Sequence, residues 1–490
     1  MAVRRIGAQR RSSGEGERQH DTGGHPPARP AVRAAKLAAL PIAFAGRRAA
    51  GASKRALGRS PGEVDRDIRL RTAQHLFEVL GELKGFAAKL GQILGIYELA
   101  LPPELGEPYR IALSRLQDAT PAMLPATVHA VLAEAFGPQW RAQFREFDDR
   151  RAASATIGQV HRAVWHDGRS VAVKVMYPGA RAAVHADLEH LRRMSGLLSV
   201  FAPNADIRAV TDQLAECVSA ELDFAAEADS QRAFAAAFAR DPDFRVPEVV
   251  TQGGDVIVSE WLDGIPVSRL IASGAQSERD RVGLLTLRFV LSSAERTGLL
   301  YCDPHPGNFR VLPDGRLGVV DFGACPAWPP PQFAPLVQDI AEALLNGGAA
   351  ELDTAMRRHG FADRLRTYDV QALAEQLLPY VELLRQEHSR VDRAWLRQRV
   401  LVALNPRLSN VHRQLTLPAY YTPFARAIAT LLGLLSQLEV TGPLRDEILR
   451  WSPELAAAMA RHHTRTGGPA DLAAARSRRA AAAKRDAATG

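Results

Sequence analysis

The chain has 490 residues, of which 46% are hydrophobic, so it has enough apolar material for two or three compact units. Its three widely spaced cysteines form no CxxC pair, which argues against a disulfide framework or a cysteine-rich zinc site and favours a cytoplasmic setting. No segment approaches the ~20 apolar residues that a membrane-spanning helix requires, so any membrane contact is expected to be peripheral.

The net charge of +8 comes from the two ends of the chain. Residues 1–60 carry +10 and residues 461–490 carry +5, which leaves −7 for residues 61–460. Both ends contain few large apolar side chains and cannot bury enough surface to offset the entropy of ordering. They are predicted to be disordered basic arms, over 1–60 and 463–490. Weak attraction to anionic membranes or nucleic acid is one interpretation, but solvated tails are favoured, and no specific nucleic-acid binding is expected.

The first folded part, residues 61–148, is predicted to be a helical extension. Ser60 and Glu63 have the spacing of a capping box, and the helix that they open is expected to run to about Tyr97. Further helices are predicted over about 105–117 and 121–136. No strand is expected before residue 150.

The pattern changes after residue 150 to three hairpins with glycine-containing turns. The paired runs are 157–165 with 170–176, 248–250 with 256–261, and 309–312 with 317–320. Helices are predicted over about 180–200, 205–238 and 277–298, and only helices are expected after residue 331. This order predicts an α+β fold of two lobes, a sheet-containing lobe over 149–262 and a helical lobe over 263–462.

Lysine is rare in this chain, which has six lysines and fifty-six arginines. Two of the six stand in compact motifs, Lys89 in KLGQ and Lys174 in VAVK. An ammonium group is a compact charge with three donors, which suits phosphate oxygens or a single buried carboxylate. Both lysines are therefore candidate functional residues, with chance placement as the alternative.

The strongest chemical pattern is YCDPHPGN, at residues 301–308, followed thirteen residues after Asn308 by the DFG motif at 321–323. Phosphoryl transfer from a nucleotide needs a carboxylate at the acceptor hydroxyl, and an amide oxygen and a second carboxylate on Mg²⁺. Asp303, Asn308 and Asp321 supply these groups at the spacing that protein kinases use. The hairpin between them is expected to bring them together, whereas DFG alone would indicate only a tight turn.

Lys174 is predicted to reach the α- and β-phosphates if a carboxylate orients it. Glu227 is the candidate, with a solvated glutamate as the alternative. No GxGxxG precedes the lysine, and an Ala-rich segment at 152–156 stands in its place. Its small side chains would let the backbone approach phosphates, although simple packing would also explain them.

In this order, the motifs KxGQ, IGQVHRA, VAVKVxYPG, ELDFxxEA, DPHPGN and DFG resemble the UbiB (AarF) family of atypical kinases. The resemblance covers about residues 60–345 and is expected to extend to 460. It implies a bilobal protein-kinase-like fold that uses ATP or ADP with Mg²⁺. It also implies phosphoryl transfer or ATP hydrolysis in support of quinone and isoprenoid lipid metabolism, with peripheral membrane contact. The oligomeric state stays open.

The resemblance also assigns roles to individual residues. Lys89 would pair with Glu221 or Asp223, and Gln92 would approach the nucleotide, which would place the helical extension in the active-site cleft. Lys174 would pair with Glu227. The implied catalytic residues are Asp303, Lys174 and Glu227, and the implied metal ligands are Asn308 and Asp321. The residues expected at the nucleotide are Ala153, Ala155, Gly158, Gln159, Lys174 and Glu260.

The chain departs from the family pattern at some positions. Ala153-Ser154-Ala155-Thr156 stands where Ala-Ala-Ala-Ser is usual, which leaves the preference between ATP and ADP open. A second interpretation of the whole chain is a nucleotide-gated protein that binds a lipid or partner and transfers little phosphate. Among residues outside these motifs, Trp261 is interpreted as a core or edge aromatic rather than a stacking platform.

Overall fold

The computed structural model describes residues 122–466, apart from 156, 187, 190–218, 220, 364–366, 404–410 and 412–413, together with 46, 50, 60 and 64. The predictions for the basic arms and for the helical extension before residue 122 therefore lie largely outside the described residues. None of the described helices is both long and apolar enough to cross a lipid bilayer.

The regular elements fall into a strand-rich first half and a helix-rich second half. In chain order, the strands are β1 (Phe144–Ala155), β2 (Gly158–Trp165), β3 (Ser170–Met176), β4 (Phe244–Arg245), β5 (Val249–Gly253), β6 (Val256–Glu260), β7 (Ile265–Pro266), β8 (Phe309–Val311), β9 (Leu317–Val319), β10 (Ser389–Val391) and β11 (Val440–Gly442). The α-helices are α1 (Pro125–Phe136), α2 (Phe224–Ala237), α3 (Val267–Ser273), α4 (Gln276–Thr297), α5 (Phe333–Leu345), α6 (Ala349–Arg358), α7 (Val370–Arg385), α8 (Arg393–Ala403), α9 (Thr422–Leu438), α10 (Leu444–Arg450) and α11 (Pro453–Thr466).

The first lobe is built on a five-stranded antiparallel sheet in the order β1-β2-β3-β6-β5. Strand β3 shows how the two faces of this sheet differ. Val171, Val173 and Val175 are fully buried in the core that includes α1. Because side chains alternate along a strand, Ala172 and Lys174 project from the opposite face. That opposite face borders the cleft described below.

Strand β1 was not expected from the sequence, which had suggested no strand before residue 150 and a first paired run at 157–165. It pairs with β2 as far as Ala155, with register shifts between Phe144 and Glu146 and again on both sides of Arg151. It is an edge strand rich in charged, exposed side chains, which protects the edge from pairing with other chains. These irregularities and charges remove the alternating pattern by which a strand is normally predicted.

The second lobe contains a four-stranded sheet in the order β4-β9-β8-β7 and the helices that follow it. The predicted hairpin of β8 and β9 is confirmed, and β4 adds a parallel edge to β9. The core against this sheet is unusually aromatic. It includes Phe234 and Phe238 of α2, Phe244 of β4, Phe289 of α4, Tyr301, Phe309 and Phe322.

The later part of the chain departs from the all-helical prediction at one place. Strands β10 and β11 form a small antiparallel pair, Ser389–Val391 with Val440–Gly442. Each strand has three residues, which is too short to produce a visible alternating pattern. The two lobes are connected by a linker at 261–264, between β6 of the first sheet and β7 of the second.

Candidate active site

Lys174 lies on the cleft face of β3 and is held by two carboxylates. Its Nζ donates to Glu227 Oε1 at 2.6 Å and to Asp321 Oδ2 at 3.3 Å. Burial by itself would lower the pKa of Lys174, but Asp321 and Glu227 outweigh it and hold that pKa above its ordinary value. The ammonium group is therefore charged at neutral pH and is fixed in position.

Glu227 occupies the first turn of α2 and is almost fully buried, with 3% of its side chain exposed. The helix begins after Asp223, whose side chain accepts a hydrogen bond from Ala226 N at 3.0 Å and caps the helix. Burial raises the pKa of Glu227 to about 7, although Lys174 opposes the rise. The predicted pair of Lys174 and Glu227 is thus present as a short, shielded ion pair.

The β8–β9 hairpin brings the remaining polar residues together. Asn308 immediately precedes β8, Asp321 follows β9, and Val320 N donates to Asn308 O at 3.0 Å. The Asn308 side-chain amide donates to Asp303 O at 3.0 Å, and Asp321 Oδ1 accepts from Gly323 N at 3.1 Å. These bonds fix the side chains of Asn308 and Asp321 while leaving oxygen lone pairs on both.

The five residues that carry the sequence prediction line one small cleft between the lobes, with about 340 Å³ of empty space including the part open to solvent. Its lining residues are Ile157, Lys174, Glu221, Glu227, Asp303, Asn308, Asp321 and Gly323. Among these described residues, four carboxyl groups face a single ammonium group. Carboxyl groups therefore predominate among the described residues of the cleft.

Two of the alanines expected at the nucleotide lie on the cleft side of the first sheet. Ala153 pairs with Val160 and Ala155 pairs with Gly158, in the rows of the sheet that continue to Lys174 and to Met176. Directly paired residues share a face, so both alanines are on the face of Lys174. Their contact with a nucleotide stays a prediction.

Gly158 is placed next to β3 for a reason of packing. A Cβ atom at this residue would lie 2.2 Å from Val175 O, so only glycine allows β2 to approach β3 this closely. The side chains of Gln159 and Glu260 do not line the cleft. Gln159 pairs with Val175 and Glu260 pairs with Val171, which puts both side chains on the opposite face from Lys174.

The structure gives other partners to these two side chains. Gln159 Oε1 accepts from Met123 N at 2.8 Å, and Glu260 Oε2 accepts from Arg245 Nη2 at 2.6 Å. Of the extension motif, Lys89 and Gln92 lie outside the described residues, and Glu221 lines the cleft. Ile157 also lines it and was not predicted, since an apolar residue in a turn carries no chemical signal.

Three comparisons relate the chain to known proteins. A family model described as the ABC1 atypical kinase-like domain matches residues 115–352. The atypical kinase coq-8 of Caenorhabditis elegans is 29% identical over 325 residues, which are 64% of this chain and 42% of that protein. The chain belongs to the UbiB (ABC1) family of atypical kinases. The predicted family and the bilobal α+β kinase-like fold are therefore confirmed.

Two further relatives of this UbiB-family chain differ in how much of their length is matched. The uncharacterized protein slr0889 of Synechocystis is 32% identical over 270 residues, which are 52% of this chain and 65% of that protein. A solved structure of Rv3197 from Mycobacterium tuberculosis, in complex with erythromycin, is 40% identical with a TM-score of 0.59. That comparison covers 81% of this chain and 100% of the solved chain.

Proposed function

We propose that this UbiB-family chain binds ATP or ADP with Mg²⁺ and, with ATP, transfers or hydrolyses the terminal phosphoryl group. The observation that carries the proposal is the convergence of Lys174, Asp303, Asn308 and Asp321 in one cleft, with Lys174 held by the buried Glu227. Kinases use groups of the same chemistry to position phosphates, metal and acceptor.

The donor set fits Mg²⁺. Asp321 and Asn308 offer carboxylate and amide oxygens, which are the hard ligands that Mg²⁺ prefers. No group of three or more His, Cys, Asp or Glu side chains is arranged to hold a metal ion in the described part of the chain. Mg²⁺ usually takes one or two protein carboxylates and completes its coordination with phosphate oxygens and water, so such a group is not needed.

The charge of the cleft supports a requirement for Mg²⁺. A triphosphate would be repelled by the carboxyl groups of Glu221, Asp303 and Asp321 that line the site. When bound, the metal ion would supply charge neutralisation between the phosphates and these carboxylates. Lys174 contacts Asp321 at 3.3 Å, and this carboxylate would have to release the ammonium group to the phosphates.

The side chains of the chain itself would then have separate tasks. Lys174 would hold phosphate oxygens, and Glu227 would keep the ammonium group in place. Asp303 would accept a hydrogen bond from the attacking hydroxyl group or water. Asn308, fixed by its bond to the Asp303 carbonyl, would present its amide oxygen to the metal ion.

The wider role is also a proposal. The resemblance of motifs to the UbiB family supports a part in quinone or isoprenoid lipid metabolism, in the cytoplasm and with peripheral membrane contact. The phosphoryl acceptor would then be a lipid-linked or small molecule, or water. Phosphate release should be measured with and without lipid vesicles or detergent.

The decisive experiment is Mg²⁺-dependent phosphate release from ATP by Asp321→Asn. We expect turnover to fall by about 10²-fold or more, since one oxygen ligand and one charge are removed from the site. Asp314→Asn is the matched control. It lies in the turn of the same hairpin, pairs with Arg316, and has 49% of its side chain exposed. Unchanged turnover in Asp321→Asn would exclude the role assigned to this carboxylate.

The second candidate is a nucleotide-gated binding protein with little phosphoryl transfer. The similarity to the solved complex of Rv3197 with erythromycin supports testing a macrolide as the gated ligand. Erythromycin affinity should be measured with Mg-ATP, with Mg-ADP and without nucleotide. An affinity that depends on the nucleotide and is the same in Asp303→Asn would favour gated binding. An affinity independent of nucleotide would reject it.

A further inference from the structure

Tyr301 is buried in the aromatic core of the second lobe, directly behind the candidate metal ligands. Its side chain is 1% exposed. The centroid of its ring lies 5.8 Å from that of Phe322 and 5.9 Å from that of Phe309. Phe309 follows Asn308 in the chain, and Phe322 follows Asp321. The phenol ring therefore packs against the residue next to each proposed metal ligand.

Hydrogen bonds of the backbone fix the place of this ring. Tyr301 N donates to Ser293 Oγ of α4 at 3.1 Å. The next residue, Cys302, donates from its N to Ala324 O at 3.0 Å, just after the DFG motif. The ring is thus held between a helix of the second lobe and the segment that carries Asp321. Its hydroxyl group has a fixed position relative to the cleft.

The Tyr301 hydroxyl group is buried and has no hydrogen-bond partner among the described residues. A buried hydroxyl without a partner is unfavourable for folding. The four rings that contact Tyr301 are all phenylalanines, so a phenylalanine would suit the same place in this core. Packing alone therefore does not account for the hydroxyl group.

The neighbouring amide of Asn308 is also incompletely paired. One hydrogen of its Nδ2 goes to Asp303 O at 3.0 Å, while the only other printed contact of Nδ2, with Asp303 Oδ2, is long at 3.4 Å. Burial raises the pKa of the Tyr301 hydroxyl, Asp303 and Asp321 raise it further, and the nearby Asn308 side chain opposes the rise. An amide hydrogen with a poor acceptor therefore lies close to a hydroxyl oxygen that lacks a donor.

A bond between these two groups would orient the amide. If the hydroxyl oxygen accepts the second amide hydrogen, both hydrogens of Nδ2 are held, and the oxygen at the other end of the planar group is directed into the cleft that Asn308 lines. The proposed task of Asp303 would favour this bond, because a carboxylate that accepts from the attacking group turns away from Asn308. Groups that orient a ligand in this way strengthen metal binding.

We propose that Tyr301 is a positioning residue of the metal site, whose hydroxyl group holds the Asn308 amide so that the amide oxygen faces the divalent cation. This inference rests on the proposed function, since it assumes that Asn308 binds Mg²⁺. It gives a task to a hydroxyl group that is otherwise buried without a partner.

The test is Tyr301→Phe in the full chain, with Mn²⁺ in place of Mg²⁺ because the two ions accept the same oxygen ligands. Binding of Mn²⁺ should be titrated by electron paramagnetic resonance in the presence of the β,γ-imido analogue of ATP. We expect the dissociation constant of Mn²⁺ to rise about tenfold. The melting temperature should stay the same or rise, because the variant loses a buried hydroxyl without a partner. A structural role would have the reverse result, a lower melting temperature with unchanged Mn²⁺ binding.

Tyr421→Phe is the matched control. Tyr421 is also buried, but its hydroxyl group donates to Gln332 O at 3.3 Å in a different core cluster. Its Mn²⁺ constant should stay within about twofold of that of the unchanged chain.

Two results would overturn the role of Tyr301 while leaving the proposed function intact. One is a Mn²⁺ constant for Tyr301→Phe within about twofold of that of the unchanged chain. The other is a rise in that constant together with a lower melting temperature, which would assign the effect to packing. If the unchanged chain bound no Mn²⁺ with the ATP analogue, the proposed function would be wrong, and this inference with it.

Discussion

Two polar clusters lie on opposite faces of the first sheet, and they differ in the kind of group that they bring together and in their access to solvent. On the core face, His161 Nδ1 donates to Asp148 O at 2.9 Å, and its Nε2 lies 2.8 Å from Gln159 Nε2. Gln159 Oε1 in turn accepts from Met123 N. On the cleft face, Lys174 contacts Glu227 and Asp321, and Glu221 and Asp303 line the same cleft.

This difference indicates a structural role for the core-face cluster and a binding or catalytic role for the cleft-face cluster. In the core-face cluster, each of these contacts ends on another protein group, and neither Gln159 nor His161 is exposed to solvent. Such a network fixes the position of β2 against the segment before α1. In the cleft-face cluster, the protein gathers ionisable groups around a space that opens to solvent, so a ligand can reach them. A group of ionisable side chains in a cleft is typical of a binding or catalytic site.

The largest expected effect concerns the cleft-face cluster. We expect Lys174→Met to reduce ATP turnover by about 10²- to 10³-fold, because the phosphates lose their fixed cation. The double variant Lys174→Met/Glu227→Gln should recover the thermal stability lost by the single variant, since both charges are then removed. It should not recover turnover. Phosphate release and thermal melts would check this, and recovery of turnover would contradict the assigned role of the ion pair.

A substitution in the core-face cluster should lower the stability of the protein and leave its turnover nearly unchanged. Gln159→Leu leaves Met123 N and His161 without their partner, so we expect the free energy of unfolding to fall by about 1–3 kcal/mol. Turnover per folded molecule should stay within about twofold. Gln252→Leu is the control, because the Gln252 side chain donates to Gly254 O in the turn after β5, away from the core-face cluster. A selective loss of nucleotide affinity in Gln159→Leu would instead support its predicted contact with the nucleotide.

Glu227 in the cleft-face cluster and His161 in the core-face cluster should change the stability with pH in opposite directions. Both effects should be smaller than those of the substitutions above. The pKa of Glu227 is raised by burial from 4.5 to about 7. Its contribution to stability is therefore complete below about pH 4.5 and is lost as the pH rises through 7. Urea unfolding should show that this loss is absent in Glu227→Gln. An unchanged profile in that variant would contradict the buried state of the carboxyl group.

Burial lowers the pKa of His161 from its ordinary value of 6.5, so this residue is neutral in the folded protein near pH 7. The unfolded chain binds a proton more readily, and the stability contributed by His161 is present above about pH 6.5 and lost as the pH falls below it. The same unfolding series with His161→Asn should have a flatter slope between pH 7 and 5. This is the smallest of the expected effects.

The sequence predicted those parts of the site that carry local signals. The glycine-containing turns after β2 and β8 lie within hairpins, and the short segment from Asp303 to Asp321 includes the second of them. The geometry at these places therefore follows from the local chain. The pairing of Lys174 with Glu227 is more distant and was proposed from the rarity of lysine and from the family resemblance. The structure brings these residues together as expected.

Other features depend on contacts that no local pattern encodes. The face on which Gln159 lies follows from its register with Val175, and a shift of one residue would turn it toward the cleft. Arg162 and Arg310 both contact the Trp261 ring only because two separate sheets converge on the linker. Their positions had no signal in a chain with fifty-six arginines.

The path of β4 has a consequence for any attempt to divide this protein. Phe244 and Arg245 pair with Leu317 and Gly318 of the second sheet before the chain returns to β5 of the first. The linker at 261–264 is therefore not the sole crossing between the lobes in the described chain. If the protein were expressed as two polypeptides separated in the linker, the first would carry an edge strand of the second. The two fragments should therefore reassemble when mixed rather than fold as independent modules.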